Sequence, residues 1–104
     1  MRERLPEFRV SLSAVTAGEE AIDLPYPDNL GQRTKLGGDP IWIQGDETPL
    51  CPRCREEMSF VAQIDSIGHT ALEPAGLFMF GDVGMLYLFY CFGCGGTDAV
   101  VQSY

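Results

Sequence analysis

Four cysteines, all that the chain has, stand in two pairs: Cys51-Pro52-Arg53-Cys54 and Cys91-Phe92-Gly93-Cys94. Each C-x-x-C pair can aim two thiolates at one point, and the two pairs together supply the four sulfurs of a tetrahedral zinc. One such pair is a weak signal. Two, separated by 36 residues and leaving no cysteine over, are a strong one. Gly93 and Gly95 suit the second knuckle, where the backbone turns tightly beneath the sulfurs. The metal ligands read from spacing are therefore Cys51, Cys54, Cys91 and Cys94, with one structural zinc per chain.

Three other chemistries use the same residues. A thioredoxin-like dithiol needs its first cysteine at a helix N-terminus. Here Met58 to Asp65 alternates apolar and polar residues with period two, which is a strand pattern. A pair of disulfides needs an oxidising compartment, and no export signal precedes the first knuckle: Met1 to Pro6 carries charge but no apolar run behind it. Iron is the third. Cys91-Phe92-Gly93-Cys94-Gly95 resembles the second knuckle of a rubredoxin, and four thiolates accept iron as well as zinc. The alternative function is thus a rubredoxin-like mono-iron electron carrier.

The elements that position the knuckles read as β. The fold class expected is mainly β: a small antiparallel sheet stapled by a four-cysteine zinc site built from two C-x-x-C knuckles, in one domain over residues 1–104. Residues 8–15 alternate, with Phe8, Val10, Leu12 and Ala14 on one side, and predict a strand. Residues 16–32, with Gly18, Pro25, Pro27 and Gly31, read as a long loop. Gly37-Gly38-Asp39-Pro40 reads as a turn, and Ile41-Trp42-Ile43 as a short strand or extended edge. Met58, Phe60, Ala62 and Ile64 are expected on the buried face of a strand, with Ser59, Val61, Gln63 and Asp65 opposite. Residues 66–75 read as loop and include His69, the one histidine. The apolar runs 76–80 and 85–90 flank Gly81-Asp82-Val83-Gly84 and predict a hairpin that runs straight into Cys91. Residues 99–104 predict a terminal strand.

Composition narrows the function. At 104 residues with seven prolines and twelve glycines, the chain buries about two-thirds of its unfolded surface. A metal cross-link is useful in so small a domain, because its binding energy is folding energy. The net charge is −8, and all seven basic residues lie in the first 55 positions. After residue 55 come six acids, Glu56, Glu57, Asp65, Glu73, Asp82 and Asp98, and no Lys or Arg. Phosphate binding needs a basic face, so nucleic acid is not the expected partner. The longest apolar run, 85–92, is too short to span a bilayer, and unoxidised cysteines in two C-x-x-C pairs without an export signal fit the cytoplasm. No catalytic motif stands out: there is no G-x-S-x-G and no H-E-x-x-H. Four cysteines also close a zinc's coordination sphere, whereas a catalytic zinc keeps a position for water. The chain is not expected to be an enzyme.

The order of several short pieces carries a resemblance. Thr34-Lys35-Leu36-Gly37-Gly38-x-Pro40-x-Trp42, then Cys51-x-x-Cys54, then Met58 to Ile64, then Gly76 to Phe80, resemble the bacterial YwqG-like family of uncharacterised proteins. The same order, with Leu86 to Cys91 as an aromatic run ending in cysteine, resembles the eukaryotic programmed-cell-death-protein-2-like family. The resemblance implies protein binding without catalysis: an immunity-like role in the first family, a chaperone for a basic ribosomal protein in the second. Together with the acidic second half, it leads to an expected partner that is a protein with a positive segment. The residues expected to engage it are Trp42, Glu56, Glu57, Asp65, Glu73 and Asp82.

Overall fold

The computed structural model describes residues 4–5, 7–15, 33–66, 80 and 84–103. These form one antiparallel sheet of four strands in sequence order, and they include no helix. Strand β1 is Lys35–Leu36, β2 Ser59–Asp65, β3 Gly84–Tyr90 and β4 Thr97–Ser103. β2, β3 and β4 are rich in β-branched and aromatic residues, which fit a pleated, half-buried surface. β3 lies between β2 and β4 and is apolar at every position after Gly84, as a central strand should be.

One face of the sheet holds the core. Met85, Tyr87 and Phe89, at period two on β3, are buried there with Met58, Cys51 and Cys91, and Trp42, Ile43, Phe60 and Val100 pack against them. The Trp42 ring lies 4.5 Å from Tyr87 and stacks on Phe89 at 6.0 Å. Phe60 meets Phe89 edge-on at 5.8 Å.

The simple alternation expected for β2 is broken by a β-bulge. Phe60 pairs with Phe89, but the next pair is Ala62 with Leu88, so Val61 is the extra residue. An inserted residue turns every later side chain to the other face. Met58 and Phe60 face the core as the alternation predicts. Beyond the bulge, Gln63 and Asp65 take the core face beside Tyr87 and Met85. Ala62 and Ile64 move to the opposite face.

The polar residues thereby brought inside fasten a loop across the core. Gln63 donates to the Arg33 carbonyl at 2.7 Å and accepts from the Ile41 amide at 2.9 Å. The Tyr87 hydroxyl donates to the Ile41 carbonyl and accepts from the Ile43 amide. Gln102 accepts from the Ile43 and Gln44 amides and donates to the Gly45 carbonyl and the Glu47 carboxylate. Ile41–Ile43 is therefore held against the sheet by side chains and, of the strand or extended edge its apolar character suggests, the strand is not formed. The Gly37-Gly38 turn is present as a bend, its Gly37 amide donating to the Val61 carbonyl.

Other expectations are corrected. Residues 8–15 pair with no strand among the described residues; Val10, Leu12 and Val15 are exposed. Their alternation marks one apolar side, but a strand also needs a partner to bond to. The terminal strand begins at Thr97, two residues before the expected start. Of the expected 76–90 hairpin, Phe80 and the second arm are described, and that arm is β3. Ser66 follows β2 outside any strand, as the 66–75 loop reading has it, yet it is firmly held. It is buried, donates to the Gly84 carbonyl at 2.6 Å, and accepts from the Phe80 and Gly84 amides. The 16–32 loop, His69 and the first arm up to Met79 lie outside the described residues.

Candidate metal centre

Each pair of cysteines sits in a closed turn at the tip of an antiparallel hairpin. Leu50 and Glu57 bridge across the base of the first tip, and the Met58 amide donates to the Pro49 carbonyl. Tyr90 and Thr97, the last pair between β3 and β4, close the base of the second. Inside the tips the hydrogen bonding is the same. The Arg55 amide donates to the Cys51 carbonyl at 2.8 Å, and the Gly95 amide to the Cys91 carbonyl at 2.7 Å. The Cys51 amide donates to the Glu56 carbonyl, and the Cys91 amide to the Gly96 carbonyl. The residue four places after the first cysteine has positive φ in both: 61° at Arg55 and 79° at Gly95. The second knuckle's special backbone position is thus Gly95. Gly93 has ordinary φ, and a Cβ there would stand 3.9 Å from the Cys91 sulfur, in normal contact.

The two tips meet. The sulfurs of Cys51, Cys54, Cys91 and Cys94 lie within 4.8 Å of one another, positioned to bind a metal ion. Across the knuckles, Cys54 Sγ and Cys91 Sγ are 3.7 Å apart. A tetrahedron with metal–sulfur bonds of about 2.3 Å has edges of about 3.8 Å, so this pair already stands at the spacing a bound ion requires. Cys51 and Cys91 are buried at 1% and 7% exposure, Cys94 is half-buried and Cys54 is exposed. No disulfide joins them.

The electrostatics fit a cation in the middle. The Cys51 thiol is drawn down to about 6, first by the Cys54 and Arg53 amides that hydrogen-bond to its sulfur. Cys94 is pushed up to about 12, first by the adjacent Cys54 sulfur, with burial and Cys51 adding. At Cys54 the Glu56 amide favours the thiolate, but burial and the sulfurs of Cys91 and Cys51 outweigh it and raise the pKa. Sulfurs this close cannot all carry negative charge unaided. A divalent cation among them reverses that repulsion and deprotonates the set.

No protein-family model and no solved structure matches the chain. The chain is 38% identical over 70 residues to an uncharacterised protein, YpfL, of Salmonella typhimurium (strain LT2). The match covers 67% of this chain and 15% of that protein, so the chain spans only a small part of its relative's length.

The residues expected to meet a partner are scattered. Glu56 and Glu57 are exposed at the first knuckle. Trp42 is half-buried in the aromatic stack and serves the core. Asp65 has 0% exposure and approaches the Arg33 amide at 3.4 Å; the Val61 bulge turned it inward, so it is not presented to a partner. Glu73 and Asp82 lie outside the described residues. Sequence reasoning missed the buried Gln63 and Gln102. Gln102 had a usable signal, since it shares period two with Val100; Gln63 becomes readable only once the bulge is known. Among the described residues no helix is long and apolar enough to cross a membrane.

Proposed function

We propose that the chain is a non-enzymatic protein-binding module, chaperone-like or immunity-like, whose two hairpin tips are joined by one structural zinc. The observation that carries this is the convergence of all four cysteines from two separate hairpins on one point. Cys51 and Cys54 hold the ion from the first tip, Cys91 and Cys94 from the second. Bound there, zinc supplies a cross-link and charge neutralisation, with no ligand position left for water. The chain's own part is to fix the sulfurs, through the paired turn bonds and the amides on Cys51 and Cys54. The remaining surface then serves recognition.

The acidic balance supports a partner with a positive segment. From 84 to 103 there is no Lys or Arg, and Glu56 and Glu57 stand exposed beside the metal centre. Complementary charge of this kind steers association more than it adds affinity. The test is capture of interacting molecules on the purified protein, followed by association rates at two ionic strengths. The expected result is a protein whose on-rate falls steeply as salt rises. Capture of nucleic acid, or a partner indifferent to salt, contradicts the reading.

A second reading is supported by the amides directed at the sulfurs of Cys51 and Cys54. Hydrogen bonds to ligand sulfurs tune the potential of iron held by four cysteines, as a rubredoxin-like electron carrier requires. Ferric iron in such a site absorbs visible light and zinc does not, so the colour of the purified protein separates the two.

A further inference from the structure

We propose that Cys54 is a modification site for hydroperoxides, and that its oxidation ends in a disulfide to Cys91 across the two knuckles. The inference rests on the metal-centre reading and concerns how that centre opens.

The four ligands are not equivalent. Cys51 and Cys91 are sealed in the core with Met58, Met85, Tyr87 and Phe89, and Cys94 is half-buried. Cys54 alone among the four is exposed. Oxidation of cysteine follows thiolate character and access. A metal supplies the first to all four sulfurs, so access decides among them. Cys51, Cys91 and Cys94 all lie within 4.8 Å of the Cys54 sulfur, and hydrogen-bond contact picks out Cys91 for the second step. Cys91 Sγ stands 3.7 Å from Cys54 Sγ, at van der Waals contact and on the other hairpin.

The chemistry balances with the hydroperoxide as the sole oxidant. The Cys54 thiolate attacks the peroxide oxygen; an S–O bond forms, the O–O bond breaks, and the alcohol or water leaves after taking a proton. The Cys91 thiolate then attacks the Cys54 sulfur; the S–S bond forms, the S–O bond breaks, and the departing hydroxide becomes water. Two electrons pass from the two sulfurs to the peroxide. Only Cys51 and Cys94 remain for the metal, one from each tip, and it leaves. The new bond joins the same two tips that the metal joined, so the sheet keeps its cross-link.

The test uses the full chain as purified, with its metal content measured first, which decides the metal reading by itself. Hydrogen peroxide is then added in steps. Released metal is followed with a chromogenic chelator, remaining thiols are blocked, and the disulfides are mapped by mass spectrometry. The expected result is a Cys54–Cys91 cross-linked peptide that grows in step with metal release. The oxidised, metal-free protein should keep its cooperative melting transition, whereas reduced protein stripped by a chelator should lose it. Cys51–Cys54 or Cys91–Cys94 disulfides forming first, or Cys54 remaining reduced while metal leaves, overturns the proposal even where the protein carries its full metal.

Discussion

Arg55 and Gly95 occupy the same place in their two knuckles and should respond to substitution with opposite signs. An L-residue held at positive φ is strained by roughly 1–2 kcal/mol, and Arg55 sits at 61°. Arg55→Gly is expected to stabilise the metal-loaded protein by up to about 1 kcal/mol, after glycine's own entropy is set against the relief. Gly95→Ala should destabilise it by about 1 kcal/mol, although its Cβ meets nothing closer than the Tyr90 hydroxyl at 3.8 Å. Denaturant midpoints of the two variants check both signs. Ser66→Ala is expected to cost about 2–3 kcal/mol, because it leaves the buried Gly84 amide without its bond to the hydroxyl. Nearby Gly84 admits no side chain: a Cβ there would stand 2.3 Å from the Gln102 carbonyl oxygen. Tyr87 carries a pH signature. Burial raises its pKa to about 12, against the opposing pull of the Ile43 amide and Arg33. The unfolded phenol ionises near 10, so its contribution is complete below pH 10 and is lost between pH 10 and about 12. Phenolate absorbance titrated alongside unfolding should show that window. Ionisation of Tyr87 near 10 in the folded protein would remove the burial argument.

At the scale of elements, the loop pinned by Gln63, Tyr87 and Gln102 is the least expected part of the fold. Gln102→Leu keeps the volume and deletes two acceptor bonds to the Ile43 and Gln44 amides and donor bonds to Gly45 and Glu47. It should destabilise by about 2–4 kcal/mol, since buried groups are left unpaired. Hydrogen exchange should show the Ile43 and Gln44 amides losing protection while β2 and β3 keep theirs. Uniform loss across the sheet would mean the loop is not separately held. These elements also show what the chain makes legible. β3 and the Phe60 side of β2 are readable because period-two burial is written in residue type. The bulge at Val61 is not, because no residue there demands it; it is set by how β2 must fit β3. Residues 8–15 carry the pattern of a strand without pairing among the described residues, since alternation specifies a face and says nothing of a free edge. The aromatic stack of Trp42 on Phe89 and the inward turn of Asp65 follow from that same three-dimensional fit. The four cysteines were fully legible, because metal ligation restricts both residue type and spacing more than packing does.

For the whole molecule, the account depends on one centre tying two hairpin tips. Cys91→Ser removes a buried ligand and should cost at least several kcal/mol, given that structural zinc in small peptides contributes on the order of 10 kcal/mol. Since domains hold roughly 5–15 kcal/mol in all, that variant should lose most of its cooperative melting. A melting point within a degree or two of the parent would remove the staple from the account. The most direct measurement is elemental analysis of protein purified without added metal, paired with its intact mass. One equivalent of zinc per chain and four reduced cysteines, Cys51, Cys54, Cys91 and Cys94, are expected. Less than half an equivalent of any metal, with the mass showing disulfides, would contradict it.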